Sequence, residues 1–454
     1  MQDIFLTSYS VKGIKNLNQL ITLDFYKKTI TKSLDTQEYN LKGIYGMNGS
    51  GKSAIVTSVK ILKNLLSDSN YLNNPIVQQN LDSLINKKSQ ELFLSADFIL
   101  NIKKPVYFRY SVTLVKNDVN VFIIDSEKLC VRKSINSSVM NTIYEVKKGK
   151  IIDICPFEKE SIIFDQLKEK TVNLLESSTL TVLSFEKMVV PLLKKGNQNY
   201  SPLLTYLSIP FIFSDYIYAY IDGSDDHRKY LMMSSLDKVQ DLEKYRMATH
   251  SFFNGTLKME DKQLDTLLPS KNFVYKLEFK TFKKNVSQLN KFLHIFKSEL
   301  KNIEIDKKED GNFFVCDLIM VYDSYKVHAE YESTGIKKLI HSFAYLKEMV
   351  NGSIVFIDEF DSNLHDVYLC ALLEYLMEYG KGQLCFTTHN VAPMDILRQR
   401  KKSIDFLSED HKIYSWRTNG NYSPAKLYRS GMIEGSPFNV DSIDFIGMFD
   451  DEEN

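Results

Sequence analysis

The alternation of apolar and polar residues predicts β-strands in two stretches near the N-terminus. Residues 3–26 predict a hairpin, and residues 91–131 predict a second β-rich stretch. From about residue 155 to 305 the pattern is mostly helical, with a helix marked by apolar positions spaced close to 3.6 residues between Leu289 and Leu300. Strand patterns return between Phe313 and Tyr331. The chain is therefore predicted to be an α/β protein with a β-rich N-terminal part.

A short apolar strand, a glycine-rich loop and a helix follow one another between Leu41 and Leu66. The loop, Gly46–Ser53, reads GMNGSGKS and matches the phosphate-binding pattern G-x-x-x-x-G-K-[ST]. Its glycines let successive amide groups curl around a phosphate chain, and the helix dipole favours the same anion. Lys52 is expected to reach the β- and γ-phosphates of ATP and to act in catalysis, and the Ser53 hydroxyl is expected to hold Mg²⁺. The residues predicted to bind ATP here are Gly46, Asn48, Gly49, Ser50, Gly51, Lys52, Ser53 and Ala54. The alternative is a glycine-rich turn with an incidental lysine.

A second strand, Ser353–Glu359, is apolar and ends in two carboxylates. An apolar run of this kind fits a strand buried on both faces of a parallel sheet, and the carboxyl edge of such a sheet is where α/β folds place ligands. Asp358 is expected to orient the Mg²⁺ shell, and Glu359 to polarise the water that attacks the γ-phosphate. The alternative is a strand that ends in two solvated acids.

A third candidate is the segment Glu332–Gly335, of sequence ESTG, which opens a predicted helix. Its hydroxyl, amide groups and helix dipole make a second anion site. One nucleotide needs only one phosphate loop, so Ser333 and Gly335 are expected to cap ATP held by another subunit. The alternative is an ordinary Ser/Thr helix cap.

A fourth candidate is His389, which ends the predicted strand Gln383–Thr388. A histidine at the ligand edge of the sheet can touch the γ-phosphate and sense its loss. The alternative is a hydrogen-bonded histidine of the core or of a loop.

Composition limits the choice of partners and compartment. Lysine plus arginine and aspartate plus glutamate each number 57 in 454 residues, so no global field attracts nucleic acid or acidic membranes. The five cysteines are scattered and lack metal-type pairing, which favours reduced thiols. No apolar run approaches the length of a membrane span, and the N-terminus does not resemble a signal peptide. A soluble, cytoplasmic protein without a membrane partner is expected.

The spacing of the motifs predicts the domain organisation. Lys52 and Asp358 are 306 positions apart, which implies one ATPase core with a large lobe inserted between its halves. Residues 1–150 are predicted to form the N-terminal half, and residues 151–305 a mainly helical inserted lobe. Residues 306–454 are predicted to form the C-terminal half, with the ESTG turn, the acidic strand and His389.

The order GMNGSGKS, ESTG, IVFIDEFDSNLH and FTTHN resembles the ATP-binding-cassette ATPases of the SMC/RecF branch. It is most similar to the OLD-like AAA-family ATPases of bacterial anti-phage and abortive-infection systems. The resemblance covers about 130 residues at each end of the chain and leaves the middle unmatched. ESTG is a degenerate form of the cassette signature LSGGQ, with Ser333, Thr334 and Gly335 in the S-G-G places.

The resemblance implies a P-loop NTPase fold and a homodimer that holds two ATP molecules between its subunits. Ser333 and Gly335 would act from the partner chain, and Asp361 would lie in a loop that crosses the interface. A glutamine that touches Mg²⁺ is also implied, with Gln78, Gln79 and Gln90 as candidates on position alone. About 65 residues follow His389, too few for the Toprim nuclease domain of OLD proteins, so a nuclease or toxin activity is expected in a separate effector protein.

Two basic stretches could meet nucleic acid: Arg398–Lys402, and Lys280, Lys283, Lys284 and Lys291 near Phe279 and Phe282. The alternative for each is a solvated helix face or loop.

Three functions fit the sequence. The favoured one is an ATPase that gates a defence effector or acts on DNA. The second is an ATP-bound scaffold with little turnover, and the third is the ATPase subunit of a membrane transporter.

Overall fold

Helices and strands are assigned in a computed structural model that describes residues 4–27, 35–101, 105–132, 139–155, 162–194, 201–221, 264, 266–417 and 422–436. The strands are β1 (Ile4–Lys12), β2 (Ile21–Asp24), β3 (Leu41–Gly46), β4 (Glu91–Asn101), β5 (Pro105–Lys116), β6 (Phe122–Arg132), β7 (Asn141–Lys147), β8 (Lys150–Ile154), β9 (Ile217–Tyr220), β10 (Asn272–Tyr275), β11 (Asn302–Asp310), β12 (Phe313–Val321), β13 (Lys326–His328), β14 (Ile354–Ile357), β15 (Gln383–Thr387), β16 (Ile404–Leu407) and β17 (Ile413–Ser415). The α-helices are α1 (Lys52–Ser67), α2 (Pro75–Leu84), α3 (Ile162–Thr171), α4 (Leu180–Ser184), α5 (Val190–Lys194), α6 (Pro202–Asp215), α7 (Phe279–Phe296), α8 (Thr334–Val350), α9 (Asp366–Tyr379), α10 (Met394–Leu397) and α11 (Pro424–Arg429).

The glycine-rich loop lies at one edge of a six-stranded sheet with the order β17–β16–β3–β15–β14–β9. Neighbouring strands are parallel except at β17, which is antiparallel to β16. β15 pairs on one side with β3, which leads into the loop, and on the other with β14, which leads into the two carboxylates. Because parallel strands end at the same edge, the segments that follow these three strands meet there.

A seven-stranded antiparallel sheet of order β2–β1–β4–β5–β6–β7–β8 shares a core with α1 and with the parallel sheet. The predicted hairpin is β1 with β2, and the predicted β-rich stretch forms β4, β5 and β6. Gln383, at the start of β15, joins the two sheets. Its Oε1 accepts from the Leu6 amide at 2.8 Å, and its Nε2 donates to the Leu6 carbonyl at 2.9 Å. One buried side chain therefore satisfies both backbone groups of Leu6.

Alternate residues of the parallel sheet enter two different cores, as the two-residue period of a strand requires. Ile44 and Phe356 face α1, α6 and the antiparallel sheet. Tyr45 and Val355 face the other way, toward α8, α9, α10 and α11. Both faces are therefore covered, which explains why β14 reads as a continuous apolar run. The predicted mixed α/β class is confirmed.

A smaller antiparallel sheet contains β10, β12 and β11, with β13 paired to β12. α7 packs on it through residues at helical spacing, including Leu289 and Leu293, while Leu300 lies beyond the helix end. The first half of α8 joins this core, through Ile336 and Leu339, and its second half joins the core of the parallel sheet. α8 therefore connects the smaller sheet to the sheet that carries the loop.

The described part of residues 151–305 packs against all three sheets. α3 to α6 bury apolar residues against the antiparallel sheet and α1. β9 pairs with β14 in the parallel sheet, and β10 and α7 belong to the smaller sheet. The physical reason is that each segment covers an apolar sheet face that would otherwise meet water. Residues 222–263 of the predicted lobe lie outside the described residues.

No helix in the described ranges combines the length and apolar character needed to cross a bilayer. Among the described residues none of the five cysteines forms a disulfide, and four of them are buried.

The link between the sheets predicts a stability effect for Gln383→Ala. The substitution leaves the buried amide and carbonyl of Leu6 without partners, so we expect a loss of about 3 kcal/mol in the free energy of unfolding. Urea denaturation followed by circular dichroism measures it. Gln399→Ala, at an exposed position, is the matched control. Equal midpoints for the two variants would contradict the structural role of Gln383.

Candidate functional site

The loop between β3 and α1 has a backbone that depends on glycine. Gly49 and Gly51 have φ angles of +78° and +109°, which residues with a side chain rarely adopt. A Cβ atom on Gly51 would also lie 2.4 Å from Leu17 Cδ2. α1 begins at Lys52, and its N-cap Gly51 has no side chain to bind the first amide groups of the helix. Those amide groups are therefore available to an anion.

Side chains from several parts of the fold bind the carbonyl oxygens of this loop. Asn16 Nδ2 donates to the Gly49 carbonyl, and His411 Nδ1 lies 3.2 Å from the Ser50 carbonyl. The buried Ser50 hydroxyl has no hydrogen-bond partner among the described residues. An orphaned hydroxyl inside a glycine-lined turn at a helix N-terminus fits a phosphate group. Sequence reasoning missed Asn16 and His411, because neither belongs to a motif.

Lys52 is buried and folds back on the loop. Its Nζ donates to the Gly46 carbonyl at 2.8 Å and to the Met47 carbonyl at 2.9 Å. Burial lowers the pKa of Lys52 to about 8, and the nearby carboxylates of Asp358, Glu359 and Asp361 act in the opposite direction. The two distant motifs lie at the same sheet edge, because β15 pairs with both β3 and β14.

Asp358 is buried and held by the neighbouring strand. Thr387 Oγ1 donates to Asp358 Oδ1 at 2.5 Å and accepts a hydrogen bond from the Glu359 amide at 2.8 Å. One hydroxyl on β15 therefore fixes both acidic residues after β14. Thr387 was not predicted as a site residue. Its only sequence signal is its place at the end of the strand before His389.

Glu359 has a different environment from Asp358. Its side chain is exposed, and its φ angle is +47°, in the left-handed region that non-glycine residues seldom occupy. Its carbonyl oxygen accepts hydrogen bonds from Lys338 Nζ and from the Ser362 amide. Such backbone strain is often found at functional sites, where the surrounding contacts maintain it. The conformation turns the Glu359 carboxylate to solvent while Asp358 stays buried.

His389 and Asp361 complete the cluster at this edge. Burial lowers the pKa of His389, and the positive charge of Lys52 adds to the effect, while Asp361, Glu359 and Asp358 oppose it. Burial therefore favours the neutral form of the imidazole at pH 7. Asp361 Oδ1 is buried and unpartnered in the part of the chain that the structure describes.

The ESTG segment is the N-terminus of α8. Ser333 Oγ accepts from the Ile336 amide at 3.4 Å, so within this chain Ser333 is a helix cap. Gly335 is buried against the turn after β14. A Cβ atom at this position would lie 2.4 Å from the Asn363 carbonyl oxygen, so the contact leaves no room for a side chain. The side chains of Ser333 and Thr334 are exposed. A contact between Ser333 and a nucleotide held by another subunit stays a prediction.

Gln78 has a structural role that conflicts with binding Mg²⁺. Its amide group donates to the carbonyls of Leu72 and Phe122 and accepts from the Phe122 amide at 2.8 Å. Gln79 and Gln90 stay candidates.

The basic stretch Arg398–Lys402 is largely neutralised. Lys401 lies 2.7 Å from Glu38, Lys402 lies 3.5 Å from Asp24, and Arg398 lies 4.0 Å from Asp395. In the other basic group, Lys283 Nζ lies 5.5 Å from the ring centroid of Phe279. Ion pairing leaves little free positive charge at Arg398–Lys402. In the other group, the cation–π contact occupies the ring of Phe279.

No protein-family model and no curated protein sequence matches this chain. Two similar solved structures are those titled as the recombination mediator protein RecF-ATPrS and RecF-ATP in the RecFOR pathway. The first is 13% identical and covers 92% of this chain and 99% of that chain, with a TM-score of 0.37. The second is 12% identical and covers 92% and 98%, again with a TM-score of 0.37.

The lowered pKa of Lys52 predicts how ATP affinity depends on pH. The ammonium group is charged below its pKa of about 8 and attracts phosphate, so affinity is expected to be constant near pH 7. Above this pKa, binding must take up a proton, and Kd should rise up to about tenfold per pH unit. Titration with a fluorescent ATP derivative and Mg²⁺ measures the effect. The range from pH 7.5 to about 9.5 is chosen because it lies above most of the range where phosphates titrate.

Lys52→Arg is the control, because arginine stays charged over this range. Its Kd is expected to be higher and independent of pH. An equal pH dependence in both proteins would exclude Lys52 as the titrating group.

Proposed function

We propose that this protein is a cytoplasmic ATP-binding-cassette ATPase that dimerises around ATP and hydrolyses it with Mg²⁺. The observation that supports the proposal is the convergence of a lysine-bearing phosphate loop with a buried acid, an exposed acid and a neutral histidine at one sheet edge. Each member suits a different task in phosphoryl transfer.

The phosphate loop would bind the triphosphate of ATP. The N-terminal amide groups of α1 would donate to phosphate oxygens. The Lys52 ammonium group would exchange its contacts with the Gly46 and Met47 carbonyls for contacts with phosphate oxygens. The Ser53 hydroxyl and Asp358 would hold Mg²⁺, which when bound neutralises charge on the phosphate oxygens. Thr387 keeps the Asp358 carboxylate oriented through its hydrogen bond.

Glu359 would act as the general base. Its exposed carboxylate can accept a proton from a water molecule as the water oxygen attacks the γ-phosphorus and the bond to the leaving ADP oxygen breaks. His389 is neutral, so it can donate a hydrogen bond to a phosphate oxygen through one ring nitrogen. We assign Glu359, His389 and Lys52 as the catalytic residues.

The physiological part of the proposal rests on the motif resemblance alone. ATP-driven dimerisation would regulate a separate effector, such as a nuclease or toxin, in anti-phage defence, or would act in a DNA-linked process. The alternative function is an ATP-bound scaffold with little turnover. Measuring turnover distinguishes this scaffold from the ATPase.

Glu359→Gln tests the assignment of the general base. The amide cannot accept the proton, so turnover is expected to fall by about 100-fold or more, within the range for a lost general base. ATP should stay bound, and the dimer should become tighter because hydrolysis no longer resolves it. Steady-state phosphate release and sedimentation velocity with ATP measure the two effects. Glu374→Gln, at an exposed site on α9, is the control. Equal and low turnover in wild type and Glu359→Gln would support the scaffold instead.

Ser333→Asp tests the contact between subunits. Aspartate keeps the helix cap, so the fold should be unaffected, but its charge would repel the triphosphate held by a partner. The monomer is expected to bind ATP normally and to lose ATP-dependent dimerisation. Ser333→Asn, a neutral cap of the same size, is the matched control and should dimerise. Sedimentation velocity with ATP measures the difference, and dimerisation of the aspartate variant would exclude the contact.

A further inference from the structure

Lys338 is a buried cation that the proposed chemistry does not use. It lies on α8, is 3% exposed, and directs its ammonium group at the turn that follows β14. Its Nζ donates to the Glu359 carbonyl oxygen and to Ser362 Oγ. A buried ammonium group is costly unless its hydrogen bonds are satisfied, so these contacts strongly restrict the geometry of the turn.

The turn is held from two opposite directions. Thr387 on β15 binds the Asp358 carboxylate and the Glu359 amide, on the sheet side. Lys338 on α8 binds the Glu359 carbonyl on the helix side. The peptide groups on both sides of Glu359 Cα are therefore fixed, and together they maintain its φ angle of +47°.

α8 touches the turn at a second point, where Gly335 packs directly against the Asn363 carbonyl. No side chain separates the helix backbone from the turn there. A shift of α8 along or toward the turn would therefore move the turn as well, since packed backbone groups cannot interpenetrate.

α8 is also fastened to the smaller sheet and α7. The Phe292 and Phe343 ring centroids lie 5.3 Å apart, and Lys347 Nζ donates to Asn285 Oδ1 at 2.9 Å. Just before α8, Glu332 is bound by Lys297 Nζ at 2.9 Å and by the Tyr322 hydroxyl. A displacement of the smaller sheet and α7 would therefore be transmitted to the N-terminus of α8.

We propose that Lys338 is a positioning residue that couples the placement of α8 and the smaller sheet to the catalytic conformation of Glu359. The inference rests on the proposed ATPase function and adds a route for its regulation. A partner that shifts the smaller sheet would change turnover by moving the Glu359 backbone, without touching the phosphate loop.

Lys338→Met tests the coupling, and Lys337→Met, which removes a lysine next to it on α8, is the matched control. Lys338→Met is expected to lower kcat by about 10- to 100-fold, as a misplaced catalytic group does, with KM and ATP affinity nearly unchanged. A merely structural role would lower binding and turnover together. Lys338→Arg, which keeps the charge, should recover part of kcat. A wild-type kcat in Lys338→Met would overturn the inference.

Hydrogen exchange of the ATP-free protein gives a readout that does not depend on hydrolysis. The Glu359, Ser362 and Leu364 amides are hydrogen-bonded within or beside the turn. In Lys338→Met these amides should exchange about tenfold faster, while the amides of α1 stay unchanged. If Lys338→Met does not fold, Lys338→Arg is measured, with a smaller increase expected.

Failure of the Lys338 inference can be distinguished from failure of the proposed ATPase function. Unchanged exchange of the turn in both Lys338 variants would overturn the inference even if the ATPase function is correct. Absence of ATP binding by the wild-type protein would defeat the proposed function, whatever the exchange result.

Discussion

The site depends on the placement of β15 between β3 and β14. Its backbone pairs on both sides, and the Thr388 amide donates to the Ile44 carbonyl at 3.2 Å just before the phosphate loop. This pairing sets the lateral distance between Lys52 and Asp358, which are 306 positions apart in sequence. Both faces of the sheet are buried, so a register shift would mispack the apolar side chains of both cores. The geometry of the candidate site is therefore tied to the stability of the core.

Charge balance in the cluster follows from that geometry. Burial lowers the pKa of Lys52, and the nearby carboxylates limit the fall to about 8. Asp358 has a hydroxyl partner, whereas Asp361 Oδ1 is buried without one among the described residues. Lys52 can exchange its contacts with loop carbonyls for contacts with a bound anion, and the Asp361 carboxylate has an oxygen left for a ligand. A site built only for stability would satisfy these groups internally.

Two of the connections between the three sheets end close to the candidate site. Gln383 ties the antiparallel sheet to the central strand of the parallel sheet. α8 ties the smaller sheet to the turn that carries Glu359. Both connections end within a few residues of the candidate site. Under the proposed function, a movement of either outer sheet relative to the parallel sheet is expected to affect the residues that would bind and cleave ATP.

Elements whose chemistry is local could be predicted from the amino-acid sequence. The GMNGSGKS loop, the apolar strand that ends in Asp358 and Glu359, the hairpin of β1 and β2 and the helical spacing of α7 were all predicted from neighbouring residues. These features depend on backbone sterics and on the two- and 3.6-residue periods, which a single sequence displays. Contacts between distant groups became evident only from the three-dimensional fold. The roles of Thr387, Asn16, His411 and Lys338, and the division of residues 151–305 among three sheets, arise from contacts between elements that no local pattern encodes. A hydrogen bond such as that from Thr387 to Asp358 exists because the two strands pair, and strand order is fixed by burial of the whole sheet rather than by the residues that use it.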